Sequence, residues 1–312
     1  MVNAVESEIR ERFYYQMTLI RRFEERVFEL FADGELFGTT HTYIGQEANA
    51  VAVLNHLQDD DIVVSNHRCH GHYLARTGDV EGLLAELMGK TGGVCGGRGG
   101  SQHLCNGSFY TNGVQGSTVP IAAGMAYVEK MKGTDAITVL FVGDGTFGQG
   151  TVYETFNLAS LWQVPLLIVV ENNRYAQTTP LDLNFAGSFV ARARAFDLSV
   201  AEIESNDVEK LYHRFGHVMK NIRTRKKPHV EIIHTYRLCP HSKGDDYRPS
   251  QELEEWQAKD PLKILGQRIA SEDKQETERQ VCARIEQAED KVREMPFPTL
   301  EKQASHIQVR GA

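Results

Sequence analysis

Two unbroken apolar runs constrain the fold of this chain more than any other stretch: AITVLFV at 136–142 and PLLIVVE at 165–171. Both runs are rich in β-branched and aromatic residues, so each predicts a strand that is covered on both faces. The segment between them, TVYETFNLASLW, has a helical pattern. A helix between two buried strands predicts a β–α–β unit, and hence an α/β fold with a mostly parallel sheet flanked by helices.

Polar residues follow both predicted strands. Asp144 comes after the first strand, and Asn172 and Asn173 end the second. Because neighbouring parallel strands end at the same edge of a sheet, these side chains are expected where open α/β sheets bind their ligands. Carboxylate and amide oxygens suit Mg²⁺, and diphosphate oxygens complete its coordination. Gly145 would let the backbone come close enough to donate N–H groups to a phosphate.

The same loop also fits a second interpretation. Gly143-x-Gly145-x-x-Gly148 after a strand is the dinucleotide fingerprint, and Glu171 stands where a ribose-binding acid would. A Rossmann oxidoreductase with a nicotinamide or flavin cofactor is therefore an alternative. The carboxylate of Asp144 argues against it, because it would repel a pyrophosphate unless a divalent cation lay between them.

A cluster of metal-binding residue types, NHRCHGH at 66–72, raises the question of a zinc site. No second pair of ligands accompanies it, and the chain's five cysteines are scattered with no C-x-x-C pair. The alternative is that Arg68, the residue of the cluster that does not bind metals, is its functional residue, since a guanidinium can bind two phosphate oxygens at once. His70 and His72 are assigned mainly to structure.

The motif GDGTFGQGTVYETFNLASLWQVPLLIVVENNRYA resembles the thiamine-diphosphate signature, in which GDG is followed by NN. Further motifs in order, HTYIGQEA, HRCHGH, GGRGGSQHL, NGVQGSTVPIAAGMA and TYRLCPHSKGDDYR, extend the likeness over about residues 10–260. Together they resemble the alpha subunit of the decarboxylating component of 2-oxo acid dehydrogenase complexes. The His and Gln of HTYIGQEA favour the pyruvate and acetoin branches of that family.

The resemblance implies the thiamine-diphosphate-binding fold and a role for each matching position. It assigns Mg²⁺ to Asp144, Asn173 and the backbone carbonyl of Tyr175. It assigns the cofactor to Arg68, His67, Gly113, Gln115, Asp144, Gly145, Thr146, Asn173, Tyr175 and His241, with the pyrimidine held by backbone groups at 113 and 115. Catalytic roles fall to His41, His241 and His103.

Several positions depart from the family pattern. His67 replaces the usual tyrosine, Gln115 stands where an aliphatic residue is common, and Cys239-Pro240 precede His241 where a glycine is usual. The sequence EIESND at 202–207 replaces the usual V-D-G-x-D. Most of these departures leave cofactor binding untouched, and all of them bear on the identity of the substrate.

The organisation of the chain predicts a partner. We expect an α/β domain over residues 1–250, with an N-terminal helix at 5–32, and a helical tail over 251–312. A thiamine-diphosphate site takes two domains, and no second α/β pattern follows residue 250. A beta subunit is therefore expected to supply the pyrimidine domain and the activating glutamate, in an assembly of two alpha and two beta chains. The resemblance adds a lipoyl-bearing acyltransferase and a small 2-oxo acid or acyloin substrate. A two-chain carboligase with the same cofactor is the alternative.

Composition excludes other classes of function. The net charge of −8 argues against nucleic acid as a partner, because phosphate backbones require a basic surface. No apolar run approaches the roughly 20 residues that span a bilayer. The N-terminal MVNAVESEIRER has no apolar signal core, so we expect neither secretion nor a transit peptide. With cysteines suited to a reducing compartment, these features predict a cytoplasmic location.

Overall fold

The computed structural model of this chain describes residues 2–36, 38–242, 244 and 246–299. These residues form twelve α-helices and nine strands. The helices are α1 Val2–Ala32, α2 Glu47–Leu54, α3 Cys69–Thr77, α4 Val80–Leu87, α5 Gln115–Lys132, α6 Gly150–Trp162, α7 Leu181–Asn184, α8 Phe189–Arg194, α9 Val208–Arg225, α10 Ser250–Gln257, α11 Pro261–Gly266 and α12 Ser271–Glu294. The strands are β1 Ile62–Ser65, β2 Cys105–Asn106, β3 Phe109–Thr111, β4 Thr138–Gly143, β5 Leu166–Asn172, β6 Tyr175–Ala176, β7 Thr179–Pro180, β8 Ser199–Glu204 and β9 His229–His234.

A seven-stranded sheet organises the chain, in the order β2-β3-β1-β4-β5-β9-β8. Every neighbouring pair is parallel except β2 with β3. In the register of β4 and β5, Gly143 pairs with Glu171, so the residues that follow both strands leave the sheet at one edge. The predicted α/β fold and the parallel β–α–β unit are confirmed.

Two apolar layers cover the two faces of the sheet. Val139 and Phe141 of β4 face a core built with α1, α2, α4, α9 and α12. Leu140 and Val142, the alternate residues of the same strand, face a second core built with α5, α6 and α8. Burial on both faces explains why the strand sequence has no polar alternation.

The first and last helices of the described chain pack on each other. α1 buries Phe13, Met17, Ile20, Phe23, Val27 and Leu30 in the first core, and α12 adds Val281, Ile285, Ala288 and Val292 to the same core. Arg26 of α1 also donates two hydrogen bonds of 2.7 Å to the carboxylate of Glu289.

The predicted domain division at residue 250 stays a prediction, and residues 300–312 of the predicted tail lie outside the described residues.

Among the described residues, none of the helices has both the length and the apolar character needed to cross a membrane.

We expect the α1–α12 ion pair to make stability depend on pH. Hydrogen bonds from Arg26 lower the pKa of Glu289 to about 2. A carboxyl group whose pKa is lower in the folded state than in the unfolded state stabilises the fold at pH values above its unfolded-state pKa. That stabilisation is lost as the pH falls towards 2. Glu289→Gln should therefore lower the free energy of unfolding by about 1–2 kcal/mol at neutral pH. The difference from the native chain should shrink on acidification, as measured by urea unfolding at a series of pH values.

Glu286→Gln, an exposed position on the same helix, is the matched control. It should change the free energy of unfolding by less than about 0.5 kcal/mol at any pH in the series. An equal loss in both variants would contradict a specific role for the Arg26–Glu289 pair.

Candidate active site

The loop after β4 places a buried carboxylate at the edge of the sheet. Asp144 opens a 3₁₀ turn, Asp144–Gly148. Its side chain is buried, and no described group pairs with its Oδ2 atom. Burial raises the pKa of Asp144 to about 6. The backbone of Gly145 lies close to β6. A Cβ atom at position 145 would be 2.7 Å from the Cβ atom of Ala176. A buried carboxylate with one unpaired oxygen is suited to act as a ligand for a cation.

The end of β5 brings Asn173 to the same edge. The Asn173 side chain is buried, its amide nitrogen donates to Gln46 Oε1 at 3.2 Å, and its oxygen accepts from the backbone N–H of Tyr175 at 3.3 Å. Arg174, which lies between Asn173 and Tyr175, has a φ of 70°, so the chain turns there through a left-handed conformation. Thr146 is buried within the facing turn. All the residues assigned to Mg²⁺ thus follow two paired strands.

Two buried guanidinium groups face the site without an ion pair among the described residues. Arg68 donates to the carbonyl of Thr42 at 2.9 Å and to Nδ1 of His241 at 2.9 Å. Arg237 donates to two backbone carbonyls, and its Nε atom is buried without a partner. Burial, together with the charge of Arg237, lowers the pKa of Arg68 to about 9, and burial lowers that of Arg237 to about 10. Buried cations without a counter-charge favour binding of an anion.

Three histidines from separate segments meet beside Arg68. His41 makes edge-on ring contacts with His67 and with His241, both with centroids 4.6 Å apart. One ring nitrogen of each histidine lies within 4.8 Å of the other two. Burial, and then the Arg68 charge, lowers the pKa of His41 to about 3, and the same two causes place the pKa of His67 well below its ordinary value. These two imidazoles are therefore neutral at physiological pH.

The other residues of the NHRCHGH stretch hold the structure together. His70 lies 2.9 Å from Glu24 through Nδ1 and 2.9 Å from the Ser101 hydroxyl through Nε2. Burial raises the pKa of Cys69 to about 12, and His72 is fully buried. The four residues of this stretch do not converge as zinc ligands, because among the described residues His67 groups with His41 and His241 and not with Cys69, His70 or His72.

The glycine-rich loop contributes a residue that the sequence analysis missed. His103 is exposed, whereas its neighbour Gln102 donates to Nδ1 of His41 at 3.3 Å. Gln102 also packs on Gly113, where a Cβ atom would lie 2.2 Å from the Gln102 amide oxygen. Gln115 follows at the start of α5 and places its amide 3.3 Å from the Gly113 carbonyl. Like Gln46 and Arg237, Gln102 lies inside a motif that the sequence analysis quoted. The sequence did not indicate the direction in which its side chain points.

An apolar cavity of about 360 Å³ lies between α1 and the residues that precede His41 and His241 in the chain. Its wall is formed by one face of α1 and by the neighbours of His41 and His241, namely Val27, Phe28, Phe31, Thr40 and Pro240. The site therefore combines a buried carboxylate with an unpaired oxygen, two buried arginines without an ion pair among the described residues, two neutral imidazoles and a nearby apolar space.

Comparison with known proteins identifies relatives over nearly the whole chain. The sequence profile of the family described as "Dehydrogenase E1 component" matches residues 15–301. The alpha subunit of acetoin:2,6-dichlorophenolindophenol oxidoreductase from Cupriavidus necator is 36% identical over 298 residues, which cover 91% of this chain and 90% of that protein. The corresponding subunit from Bacillus subtilis is 36% identical over 296 residues, covering 91% and 89%. The alpha subunit of the pyruvate dehydrogenase E1 component from Rickettsia bellii is 35% identical over 308 residues, covering 95% and 94%.

Replacing Arg68 tests the anion site independently of catalysis. Inorganic pyrophosphate should raise the melting temperature of the native chain, because it binds the folded state. In Arg68→Met, loss of the charged donor should weaken pyrophosphate binding about 10- to 100-fold. Differential scanning fluorimetry across a pyrophosphate titration measures both effects. Arg225→Met, at an exposed position at the end of α9, should keep the native response. A full response in Arg68→Met would show that the anion binds elsewhere.

Proposed function

This chain belongs to the family of dehydrogenase E1 components, and from that premise we propose which groups its site binds and which chains it works with. Membership confirms the resemblance, thiamine diphosphate as the cofactor, and the alpha-subunit type of dehydrogenase for 2-oxo acids or acetoin that the sequence predicted. We propose further that this chain holds the diphosphate half of the cofactor through Mg²⁺ and passes the acyl group of a small substrate to a lipoyl arm.

The donor set fits the diphosphate and its cation. Asp144 offers a buried oxygen without a partner, and Asn173 and the carbonyl of Tyr175 follow the adjacent strand. We assign Mg²⁺ to these three residues. Gly145 and Thr146 approach the diphosphate through backbone and hydroxyl groups, and the guanidinium of Arg68 neutralises part of its charge.

The pyrimidine ring of the cofactor would be bound by residues at the start of α5 and by another chain. Gly113 and Gln115 offer backbone groups there, and His67 lies beside Arg68 where the family usually has tyrosine. The described residues contain one large sheet, which provides the diphosphate-binding half. We propose that a beta subunit supplies the pyrimidine domain and the activating glutamate, and that two alpha and two beta chains form the active enzyme.

The chemistry divides between cofactor and protein. When bound, thiamine diphosphate supplies the nucleophilic carbon and the electron sink for cleaving the bond beside the substrate carbonyl. The neutral rings of His41 and His241 orient substrate oxygens and hold protons at their ring nitrogens. His103 remains a predicted catalytic residue, with its exposed side chain available to a partner chain. The apolar cavity next to Thr40 and Pro240 would accept a small alkyl group.

Co-expression with the neighbouring beta-type gene tests this function. With Mg²⁺, thiamine diphosphate and 2,6-dichlorophenolindophenol as electron acceptor, the complex should oxidise pyruvate, a related 2-oxo acid or acetoin. The chain alone should be inactive. Decarboxylation by the chain alone would contradict the two-chain proposal, condensation with a second carbonyl compound faster than oxidation would favour the carboligase, and tight NAD binding without thiamine diphosphate would favour the Rossmann oxidoreductase.

Asp144→Asn should change stability and cofactor affinity in opposite directions. Burial makes the charged form of Asp144 costly, so the neutral amide should raise the free energy of unfolding of the ligand-free chain by about 1–3 kcal/mol. Loss of the anionic ligand should weaken binding of thiamine diphosphate with Mg²⁺ by about 10- to 100-fold. Urea unfolding and isothermal titration calorimetry measure the two effects. Asp135→Asn, on an exposed loop before β4, should keep the native affinity. A simultaneous fall in stability and affinity would indicate a structural role for Asp144.

An exposed apolar stripe on α5 supports the partner proposal. Ile121, Val128 and Met131 are 46%, 46% and 69% exposed and share one face of the helix with Gly124. Leu158 and Leu161 of the adjoining α6 extend the stripe. A continuous apolar face of this kind is typical of an assembly surface.

Val128→Asp should therefore disrupt assembly. A charge in an apolar interface should lower the affinity between chains at least about tenfold. Light scattering during size-exclusion chromatography of the co-expressed complex should show the mass falling below that of the native assembly. Gln275→Asp, exposed on α12 at the other face of the sheet, should leave the mass unchanged. An unaltered mass for Val128→Asp would place the interface elsewhere.

A further inference from the structure

We propose that Gln102 is a positioning residue that fixes the proton of His41 on Nε2, so that His41 presents a neutral N–H donor to an oxygen atom of the substrate. This inference rests on the proposed function for its substrate, a small carbonyl or hydroxycarbonyl compound. Its geometry rests on the described residues alone.

The orientation of the Gln102 amide follows from its two contacts. The amide nitrogen lies 3.3 Å from Nδ1 of His41 and 3.4 Å from the carbonyl oxygen of Thr39. A carbonyl oxygen only accepts hydrogen bonds, so the NH₂ group and not the amide oxygen faces this side. Nδ1 of His41 must then accept, and the ring proton of the neutral imidazole lies on Nε2.

His241 reaches the same tautomer through a different donor. The Arg68 guanidinium lies 2.9 Å from Nδ1 of His241, and a guanidinium has donors only. The neutral ring of His241 therefore also carries its proton on Nε2. One ring nitrogen of each of the three histidines lies within 4.8 Å of the other two, so the rings of His41 and His241 line the same small space.

His41 stays neutral because its surroundings are positively charged and buried. The groups facing it are the guanidiniums of Arg68 and Arg237 and the rings of His241, His70 and His67. Such a ring donates a hydrogen bond without delivering a proton, which polarises a carbonyl oxygen and accommodates the negative charge that develops there.

The loop around Gln102 is built to hold the amide still. The carboxylate of Glu86 accepts hydrogen bonds from the backbone N–H groups of four loop residues, Cys95, Gly97, Gly99 and Gly100. The Thr111 hydroxyl donates to the Gln102 carbonyl at 2.7 Å. On its other side the Gln102 amide oxygen lies against Gly113, where any side chain would displace it. Gln102 therefore joins His41 to the segment assigned to the pyrimidine ring.

Two substitutions at Gln102 separate positioning from packing. Gln102→Glu replaces the donor with an acceptor, which should draw the His41 proton to Nδ1 and raise its pKa towards neutrality. In the co-expressed complex kcat should fall about 100-fold, and a new loss of activity should appear as the pH is lowered. Gln102→Met keeps the volume and removes the donor, so kcat should fall about tenfold with no new limb in the pH profile.

The tautomer can be read without activity. In the full chain labelled with ¹⁵N-histidine, two-bond ¹⁵N–¹H spectra distinguish Nε2–H from Nδ1–H, and His41→Asn assigns the His41 signal. Native His41 should be the Nε2–H form and should change in Gln102→Glu. Gln275→Glu, the same change at an exposed position on α12, should leave both the spectrum and the pH profile as in the native chain.

The outcomes distinguish this proposal from the proposed function. An Nδ1–H signal in the native chain, or an unchanged His41 signal and pH profile in Gln102→Glu, overturns the positioning role even if the complex is active. The expected spectra in a complex that oxidises neither 2-oxo acids nor acetoin keep the positioning role and overturn the proposed function.

Discussion

The site depends on buried charges of opposite sign that do not neutralise each other. Asp144 keeps one carboxylate oxygen without a partner, while Arg68 and Arg237 have carbonyl and imidazole partners in place of carboxylates. Each of these buried charges costs free energy, which the apolar cores on both faces of the sheet must offset. A cation carried on a diphosphate complements both signs at once, so the protein is preorganised for a ligand of that charge pattern.

Much of the fold could be predicted because its signals are local. The sequences of β4 and β5 are apolar on both faces of the strand. Because a helix connects these two strands, they are expected to pair in parallel, as they do. That pairing in turn brought Asp144 and Asn173 to one edge of the sheet, so their common placement followed from the sequence. The family comparison then confirmed the enzyme class that the ordered motifs indicated.

The remaining features depend on contacts between distant segments, which no local pattern contains. The glycines of residues 89–116 indicate backbone that turns sharply or approaches another group closely, and the sequence predicts no helix over α5. In the structure Gly116 belongs to that helix and packs tightly on Gln149, since a Cβ atom would lie 1.7 Å from its amide oxygen. Similarly, the resemblance implies a catalytic role for His103, but in the loop that Glu86 holds His103 is exposed and Gln102 is turned towards His41. Side-chain direction in such a loop is set by its hydrogen bonds and not by composition.

The packing of α1 on α12 has a consequence for biosynthesis. Glu24 of α1 accepts a hydrogen bond from the backbone N–H of Tyr43 and contacts His70, so this helix supports the histidine segments. Part of its cover, however, comes from α12, as in the 263-residue separation of Arg26 and Glu289. During synthesis the face of α1 that packs on α12 therefore stays exposed until the ribosome has made α12. Over that interval this face is open to non-native association, and it is the surface that a chaperone would cover.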